Sequence, residues 1–507
     1  MNKAKIKYIT LTLGCMLLMA NNIKAITINQ NVLNAWMSEE PLESKMSYLE
    51  AKNIIEATLG KTINEEQLLN ESYTELTREA FARLIVNALR YEDLANKLQA
   101  KVSSFSDVIH YKGEIELVKQ LGIMAGYEDN TFRPEVAMTK KEVGSIIERL
   151  HKRLEAPTKE IHSNYAIQSS SQMELIKNCT QVSFGWGEIR YDAALGSIVV
   201  ATSNNPSGFN KPIGFEEPLY FTQANGVESY IMFYLEDKVI SQGSLKGKTL
   251  STVLFEDSVL RKNIIDSMVR EAEAFDGITV DFENFRSADL KKGFNLFLLE
   301  LKGALTAKQK KMNVAVPPNL YYKGYDYKTI GELADHIILM AHDYEAKSLT
   351  QEEMLSGFTI TPVTPLSSVY ETLKAITDKQ TGVEDKSKII LQLSFGSSQW
   401  QLQDAMILNQ KAYNPTYDKI FNRLQKQGTQ SFYSELYHNP YATYVEGAVK
   451  NVIWYENSQS VQAKIDLAKL LDVQSISLWR LGTIPHYSAS TSKDFGLDIV
   501  GSLQLNK

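Results

Sequence analysis

Apolar residues fall at helical spacing in the first third of the chain and in short strand-like runs, separated by helices, in the rest. Between about 45 and 150, Tyr48, Ala51, Ile54, Ile55 and Leu59 share one helical face, as do Phe81, Leu84, Ile85 and Leu89, so the pattern predicts packed helices. The stretch from 105 adds punctuation: Phe105-Ser106-Asp107-Val108, a helix through Ile115, Leu117, Val118 and Leu121, then Gly122-Ile123-Met124-Ala125-Gly126. A turn-like Glu128-Asp129-Asn130, Phe132 and Pro134 follow, and Thr139 and Glu142 have the spacing of a capping box that opens the next helix. Residues 156–176 carry Pro157 and Ser169-Ser170-Ser171 with little apolar periodicity, and read as a linker.

From 177 to 507 the runs with strand character are Gln181 to Trp186, Ser229 to Tyr234, Gly277 to Glu283, Met312 to Pro317, His336 to His342, Ile389 to Phe395 and Ser475 to Trp479. Ile264, Ile265, Met268, Val269 and Ala272 mark a helix between the second and third. Strands alternating with helices predict a parallel sheet covered by helices. The expected fold class is α/β, a (β/α)8 TIM barrel preceded by a small all-α domain, although only seven strands are visible. A doubly wound open sheet is the alternative, but its glycine-rich phosphate loop is missing.

Residues 1–25 stand apart: Lys3, Lys5 and Lys7 precede an apolar run from Ile9 to Ala20, and Ile23-Lys24-Ala25 resembles a cleavage site, so they read as a secretory signal peptide. The apolar run is shorter than a membrane-spanning helix needs, and no membrane association is expected after cleavage. Cleavage removes four lysines and no acids, taking the formal charge from −6 to −10; an acidic protein does not adhere to nucleic acid or anionic wall polymers by charge alone. Cys179 would be the only cysteine left, which excludes an intramolecular disulfide. With 44% hydrophobic and 22% charged residues, the mature chain has an ordinary globular composition. No metal-ligand spacing and no nucleotide loop is present, so no cofactor and no metal are expected.

Chemistry concentrates in Gly277 to Glu283. Side chains alternate along a strand, so Ile278, Val280 and Phe282 share one face, and Thr279, Asp281 and Glu283 the other. With the polar face inside a barrel, Glu283 lies at the C-terminal, active-site end. Two carboxylates on one buried face repel each other and lose solvation, which raises at least one pKa. Spacing alone leaves open a pair of solvated acids at a strand end.

Two resemblances narrow this. Residues 105–142 resemble an S-layer homology repeat, and Leu76-Thr77-Arg78-Glu79-Ala80-Phe81-Ala82 is similar to the last part of an earlier copy. The expected helical region is 26–155, with a partial repeat at about 45–92 and a full one at about 103–152. The resemblance implies binding of a secondary cell-wall polysaccharide, with Arg78, and Lys140 where the family has arginine, as candidate sugar contacts. Asp276 to Glu283 resembles the Asp-Gly-x-Asp-x-Asp-x-Glu motif of glycoside hydrolase family 18. Gly185-Trp186, Met340-Ala341-His342-Asp343, Trp454-Tyr455-Glu456-Asn457 and Leu478-Trp479 follow that family's landmarks in order.

This second resemblance implies a secreted, wall-associated hydrolase that cuts β-1,4 bonds at N-acetylglucosamine by a retaining, substrate-assisted route. Glu283 is then the acid and Asp281 the residue that orients the acetamido group. Asp276, Thr279, Trp186, Met340, His342, Asp343 and Trp479 are the implied substrate-binding residues. Thr279 stands where chitinases carry aspartate, and His342 where many members carry tyrosine. With Phe282-Glu283-Asn284, these make the motif most similar to the spore cortex-lytic members, and peptidoglycan the expected substrate. The alternatives are a weak or inactive carbohydrate-binding surface protein and a structural surface-layer component.

Overall fold

The computed structural model describes residues 29–39, 41–60, 62–63, 75–101, 103–166, 168–356, 361–487 and 494–503. The expected signal peptide, 1–25, lies outside them.

The N-terminal part is helical: Gln30–Met37, Tyr48–Leu59, Arg78–Leu89, Glu92–Gln99, Lys112–Gln120 and Lys140–Leu154. Three of these helices begin alike. The Ser47, Thr77 and Thr139 side chains accept from the backbone N–H of Glu50, Ala80 and Glu142, satisfying first-turn amides that have no partner within the helix. The residues just before them close a ring: Met46 N–H donates to the Met138 carbonyl, Met138 to Leu76, and Leu76 to Met46, at 3.0, 2.8 and 2.7 Å. Three equivalent helix starts therefore meet about one axis, where the sequence offered only two. The third, Ser47-Tyr48-Leu49-Glu50, keeps the capping chemistry but not the lettering of the others.

The strands are β1 (Ile161–Tyr165), β2 (Gln181–Asp192), β3 (Ser197–Ala201), β4 (Glu228–Glu236), β5 (Gly277–Glu283), β6 (Lys311–Val316), β7 (His336–Leu339), β8 (Ile389–Ser394), β9 (Ser398–Gln403), β10 (Met406–Ile407), β11 (Gln430–Ser434), β12 (Asn439–Glu446), β13 (Val449–Trp454) and β14 (Ser475–Trp479). Eight of them, β1, β2, β4, β5, β6, β7, β8 and β14, pair in parallel in that order. β1 closes the barrel by pairing with both β14 and β2. The expected linker 156–176 is corrected here, because it contains this first barrel strand. Its sequence, Ile-His-Ser-Asn-Tyr, reads as polar because His162 and Asn164 turn into a barrel whose interior is itself polar, while Ser163, on the other face, is buried against Cys179.

Between β8 and β14 the chain builds a second, antiparallel sheet in the order β10-β9-β13-β12-β11, which the barrel reading did not anticipate. Trp400 and Trp454 form its small core with Leu349, Ile407 and Val452. A dehydrated ion pair joins this insertion to the barrel. The Glu456 carboxylate, 2% exposed, accepts from Lys464 Nζ at 2.8 Å, Asn439 Nδ2 at 2.7 Å and Ser460 Oγ at 2.5 Å, and from the Thr364 hydroxyl. Asn439 belongs to the inserted sheet, and Ser460 and Lys464 to the helix Ser458–Leu470 that covers the barrel.

The helical part also packs on the barrel. Lys469 Nζ donates to the Leu154 carbonyl at 2.8 Å, Arg153 pairs with Asp472 at 3.1 Å, and His438 of the insertion donates to the Arg90 carbonyl at 2.9 Å. No helix among the described residues is long and apolar enough to cross a membrane.

Replacing Lys464 with Met strands a charge at Glu456 and is expected to cost about 3–5 kcal/mol, read as a lower urea midpoint. The double change with Glu456→Gln recovers most of the loss, because the buried charge then goes too. If the single and double variants unfold together, the ion pair does not hold the insertion to the barrel.

Candidate active site

The period of two along β5 turns Thr279, Asp281 and Glu283 into the barrel at successively higher levels. Thr279 is fully buried, Asp281 is 3% exposed and Glu283 reaches the half-buried mouth. Immediately afterwards Asn284 adopts φ +70°, a left-handed conformation that asparagine tolerates better than most residues, so the chain turns sharply beyond Glu283. The Tyr325 hydroxyl donates to the Phe282 carbonyl and pins that turn from beneath. Across the β4–β5 ladder, Tyr234 lies opposite Asp281 and Glu236 opposite Glu283.

Dehydration sets the electrostatics. Burial, and then the Glu283 charge, push the Asp281 carboxyl well above the usual carboxylate range. Glu283 is raised too, chiefly by burial; Asp343 and Glu236 add to this, while the charges of His342 and Lys347 oppose it. Two such carboxyls side by side hold a proton at a pH where an exposed pair would hold none. Asp281 Oδ1 is buried and has no hydrogen-bond partner among the described residues.

At the end of β7, His342 Nδ1 lies 3.1 Å from Asp343 Oδ2, and Nε2 lies 2.6 Å from Gln392 Oε1. An amide oxygen only accepts, so Nε2 carries a proton, while Nδ1 lies beside the carboxylate without a well-aligned hydrogen bond. Burial by itself would depress the His342 pKa, but Asp343 outweighs it and the pKa is raised. Burial would raise Asp343, yet His342 beside it, with a smaller contribution from Lys347, brings its carboxyl down to about 2.

The chain of polar contacts continues below. The Gln392 and Asn164 amides donate to Ser477 Oγ, each at 3.4 Å. Ser477 therefore gives its own proton to His162 Nδ1 at 2.7 Å, and His162 Nε2 donates to Ser183 Oγ at 2.7 Å. Ser183 and Thr279 close the chain at 2.6 Å. Burial holds the His162 pKa down to about 3, so this ring stays neutral.

Residues 244–483 match the family model described as glycosyl hydrolases family 18, and residues 104–143 match the S-layer homology domain. That first match gives the barrel a likeness to the family 18 glycosyl hydrolases over rather less than half of the chain. The cortical fragment-lytic enzyme of Bacillus subtilis (strain 168) is 23% identical over 244 residues, 46% of this chain and 53% of that protein. The Bacillus anthracis protein of the same name is 23% identical over 275 residues, covering 52% and 58%. This chain thus spans about half the length of the curated relatives it matches. Among solved structures, the Bacillus cereus spore cortex-lytic enzyme SleL superposes with a TM-score of 0.53 at 17% identity, over 69% of this chain and 74% of that one, a likeness of fold.

Of the expected site residues, the fold brings Asp281, Glu283, His342 and Asp343 together at one end of the barrel. Trp479 ends β14 and Met340 follows β7 at that same end, both partly exposed. Three placements are corrected. Asp276 precedes β5 at the opposite end, where Oδ2 accepts from Ser229 N–H and Oγ at 2.8 and 2.9 Å; seven residues of strand put it roughly 20 Å from Glu283. Trp186 is 2% exposed and packs 4.3 Å from Phe184 and 6.2 Å from Phe275, in the core between strands and helices. Thr279 is sealed beneath Asp281 and faces Ser183 instead of a ligand. His342 has its place, with Nε2 engaged by Gln392 and Nδ1 set beside Asp343.

In the helical region, Arg78 and Lys140 each open a helix. Arg78 donates to the Phe132 and Ala125 carbonyls at 2.9 and 2.8 Å, and Lys140 to the Glu39 carbonyl at 2.8 Å. Sequence reasoning missed Gln392, Tyr234 and Tyr325. The first two sit at inward positions of strands it had recognised, so the alternation along β4 and β8 was the available signal.

Removing the His342 cation while Asp343 keeps its charge disfavours the Glu283 carboxylate. His342→Gln is therefore expected to raise the Glu283 pKa further, followed by pH-dependent infrared difference spectra against Glu283→Gln. An unchanged or lowered value would show that His342 is not charged beside Glu283.

Proposed function

We propose that the protein is a secreted, wall-associated glycoside hydrolase that cleaves β-1,4 bonds at N-acetylglucosamine in peptidoglycan, with retention of configuration. The observation that carries this reading is the dehydrated Asp281–Glu283 pair at the C-terminal end of β5. Protonated Glu283 donates to the glycosidic oxygen as the bond to the anomeric carbon breaks, while the substrate's acetamido oxygen attacks that carbon from the other face. The resulting oxazolinium ion presents an N–H, and the unpartnered Asp281 Oδ1 is the acceptor for it. Glu283, now ionised, takes a proton from the water that opens the ring, and two inversions leave the configuration unchanged. Trp479 supplies an apolar floor for the sugar, and Asp343, ionised down to about pH 2, keeps the local field constant through the cycle.

The relatives named cortical fragment-lytic enzymes favour peptidoglycan over chitin, and the S-layer homology match favours attachment to a secondary wall polysaccharide. Because Arg78 and Lys140 already serve internal carbonyls, their role in that attachment is to shape the loops that meet the polymer. One observation favours a slower, carbohydrate-binding protein: Thr279 and His342 are both committed inside the protein and supply no direct donor to the acetamido group.

Incubating the full chain with peptidoglycan, chitin oligosaccharides and a chromogenic N-acetylglucosaminide separates the readings. Reducing ends are expected from the acetylated substrates and not from de-N-acetylated glycan, and Glu283→Gln is expected to lower the rate by roughly a thousandfold. Binding without release of reducing ends would leave the carbohydrate-binding reading. For the anchor, the chain is expected to sediment with purified walls and to stay in solution once the secondary polysaccharide has been stripped from them; equal sedimentation would remove that role from the helical region.

A further inference from the structure

The mouth of the barrel is crowded with acids, namely Asp281, Glu283, Glu236, Asp343 and Glu345, yet two cations have been placed beside them. Arg286, three residues beyond Glu283, lies exposed with its guanidinium 4.9 Å from the centre of the Tyr322 ring, and it makes no ion pair among the described residues. Lys347 follows β7 by eight residues; its side chain is 69% exposed and its ammonium is 3.1 Å from Glu345. Tyr322 is the element they share, since its hydroxyl, like Asp343, is close enough to Lys347 to act on its charge. Beside it Tyr321 packs 6.4 Å from Tyr344, so the loops after β5, β6 and β7 converge here. Neither cation is needed to hold these loops: Tyr325, Phe285 and Tyr344 are anchored from within by ring stacking and hydroxyl hydrogen bonds.

A neutral polymer of N-acetylglucosamine offers such groups hydroxyl and amide acceptors but no opposite charge. We propose that Arg286 and Lys347 bind a carboxylate carried by the sugar next to the bond held at Glu283, and so select an anionic glycan over a neutral one. In peptidoglycan that carboxylate comes either from the lactyl ether on alternating sugars or from the peptide attached to it. The fork of the guanidinium matches a carboxylate in two-point fashion, and stacking on Tyr322 presents it ready oriented. Lys347, within electrostatic reach of the Tyr322 hydroxyl, adds a point charge. The inference rests on the glycan-cleaving reading for its substrate, but not on the rate of cleavage.

The test therefore measures binding. Full-length Glu283→Gln protein, which leaves its ligand intact, is titrated calorimetrically at low salt with short peptidoglycan fragments. The fragments carry a free lactyl carboxylate, an intact stem peptide, or carboxylates converted to methylamides. The charged fragments are expected to bind about tenfold more tightly than the amidated one, and the two charged forms identify which carboxylate is read. Adding Arg286→Gln and Lys347→Gln is expected to bring that ratio close to one, while Arg286→Lys with Lys347→Arg restores part of it. No preference in the parent, or a preference that survives the double Gln change, overturns the proposal. A clear preference in a protein whose native form releases no reducing ends would remove the hydrolase reading and keep this one. Hydrolysis without any charge preference would do the reverse.

Discussion

The structure depends on the rule that a polar group turned into a closed barrel must find its partner there. From Thr279 through Ser183, His162, Ser477 and Gln392 to His342, one line of hydrogen bonds crosses β5, β2, β1, β14 and β8 to the end of β7, where His342 sets its other nitrogen 3.1 Å from Asp343 beside Glu283. Each link has a donor facing an acceptor, which makes the line directional. It fixes the neutral His162 tautomer and turns the Nε2 proton of His342 toward Gln392. A barrel filled with aliphatic side chains would close as well. It would give the residues at its mouth no such orientation, and the charge beside Glu283 would be set by solvent alone.

The same rule explains where the sequence could be read and where it could not. β5 was legible because it alternates cleanly and ends in two carboxylates, a combination with few structural uses. β1 was not: Ile161–Tyr165 has the composition of a loop, and only the barrel interior, unknown in advance, turns His162 and Asn164 into core residues. Trp186 and Asp276 were misplaced for a related reason. They stand beside landmark positions in the chain, but one faces the helices and the other caps the far end of the strand. Adjacency in sequence carries no information about which face or which end a residue occupies.

The inserted sheet shows a different limit. Ser398–Gln403 alternates and the hairpin around Gly447, at φ +61°, carries a turn glycine, so its strands were visible in principle. Their antiparallel partners were not, because pairing is decided by contacts far apart in sequence. The Glu456 cluster makes the insertion part of the barrel's stability. Asn439, Thr364 and the helix pair Ser460 and Lys464 come from three segments, and a buried carboxylate must keep all of them in place or remain unsatisfied.

Where a linker was expected, the chain runs straight from the helix Lys140–Leu154 into the first barrel strand, and the two parts are bonded through Lys469, Arg153 and His438. A tethered catalytic domain sweeps a sphere around its anchor, and its local concentration follows the length of the tether. This molecule has no such radius. Held at its helical end, it would behave as a bracket, presenting the mouth of the barrel at one height and one bearing above the attachment point. The population of bonds within reach would then be set by the thickness of the folded protein and by movement of the glycan itself.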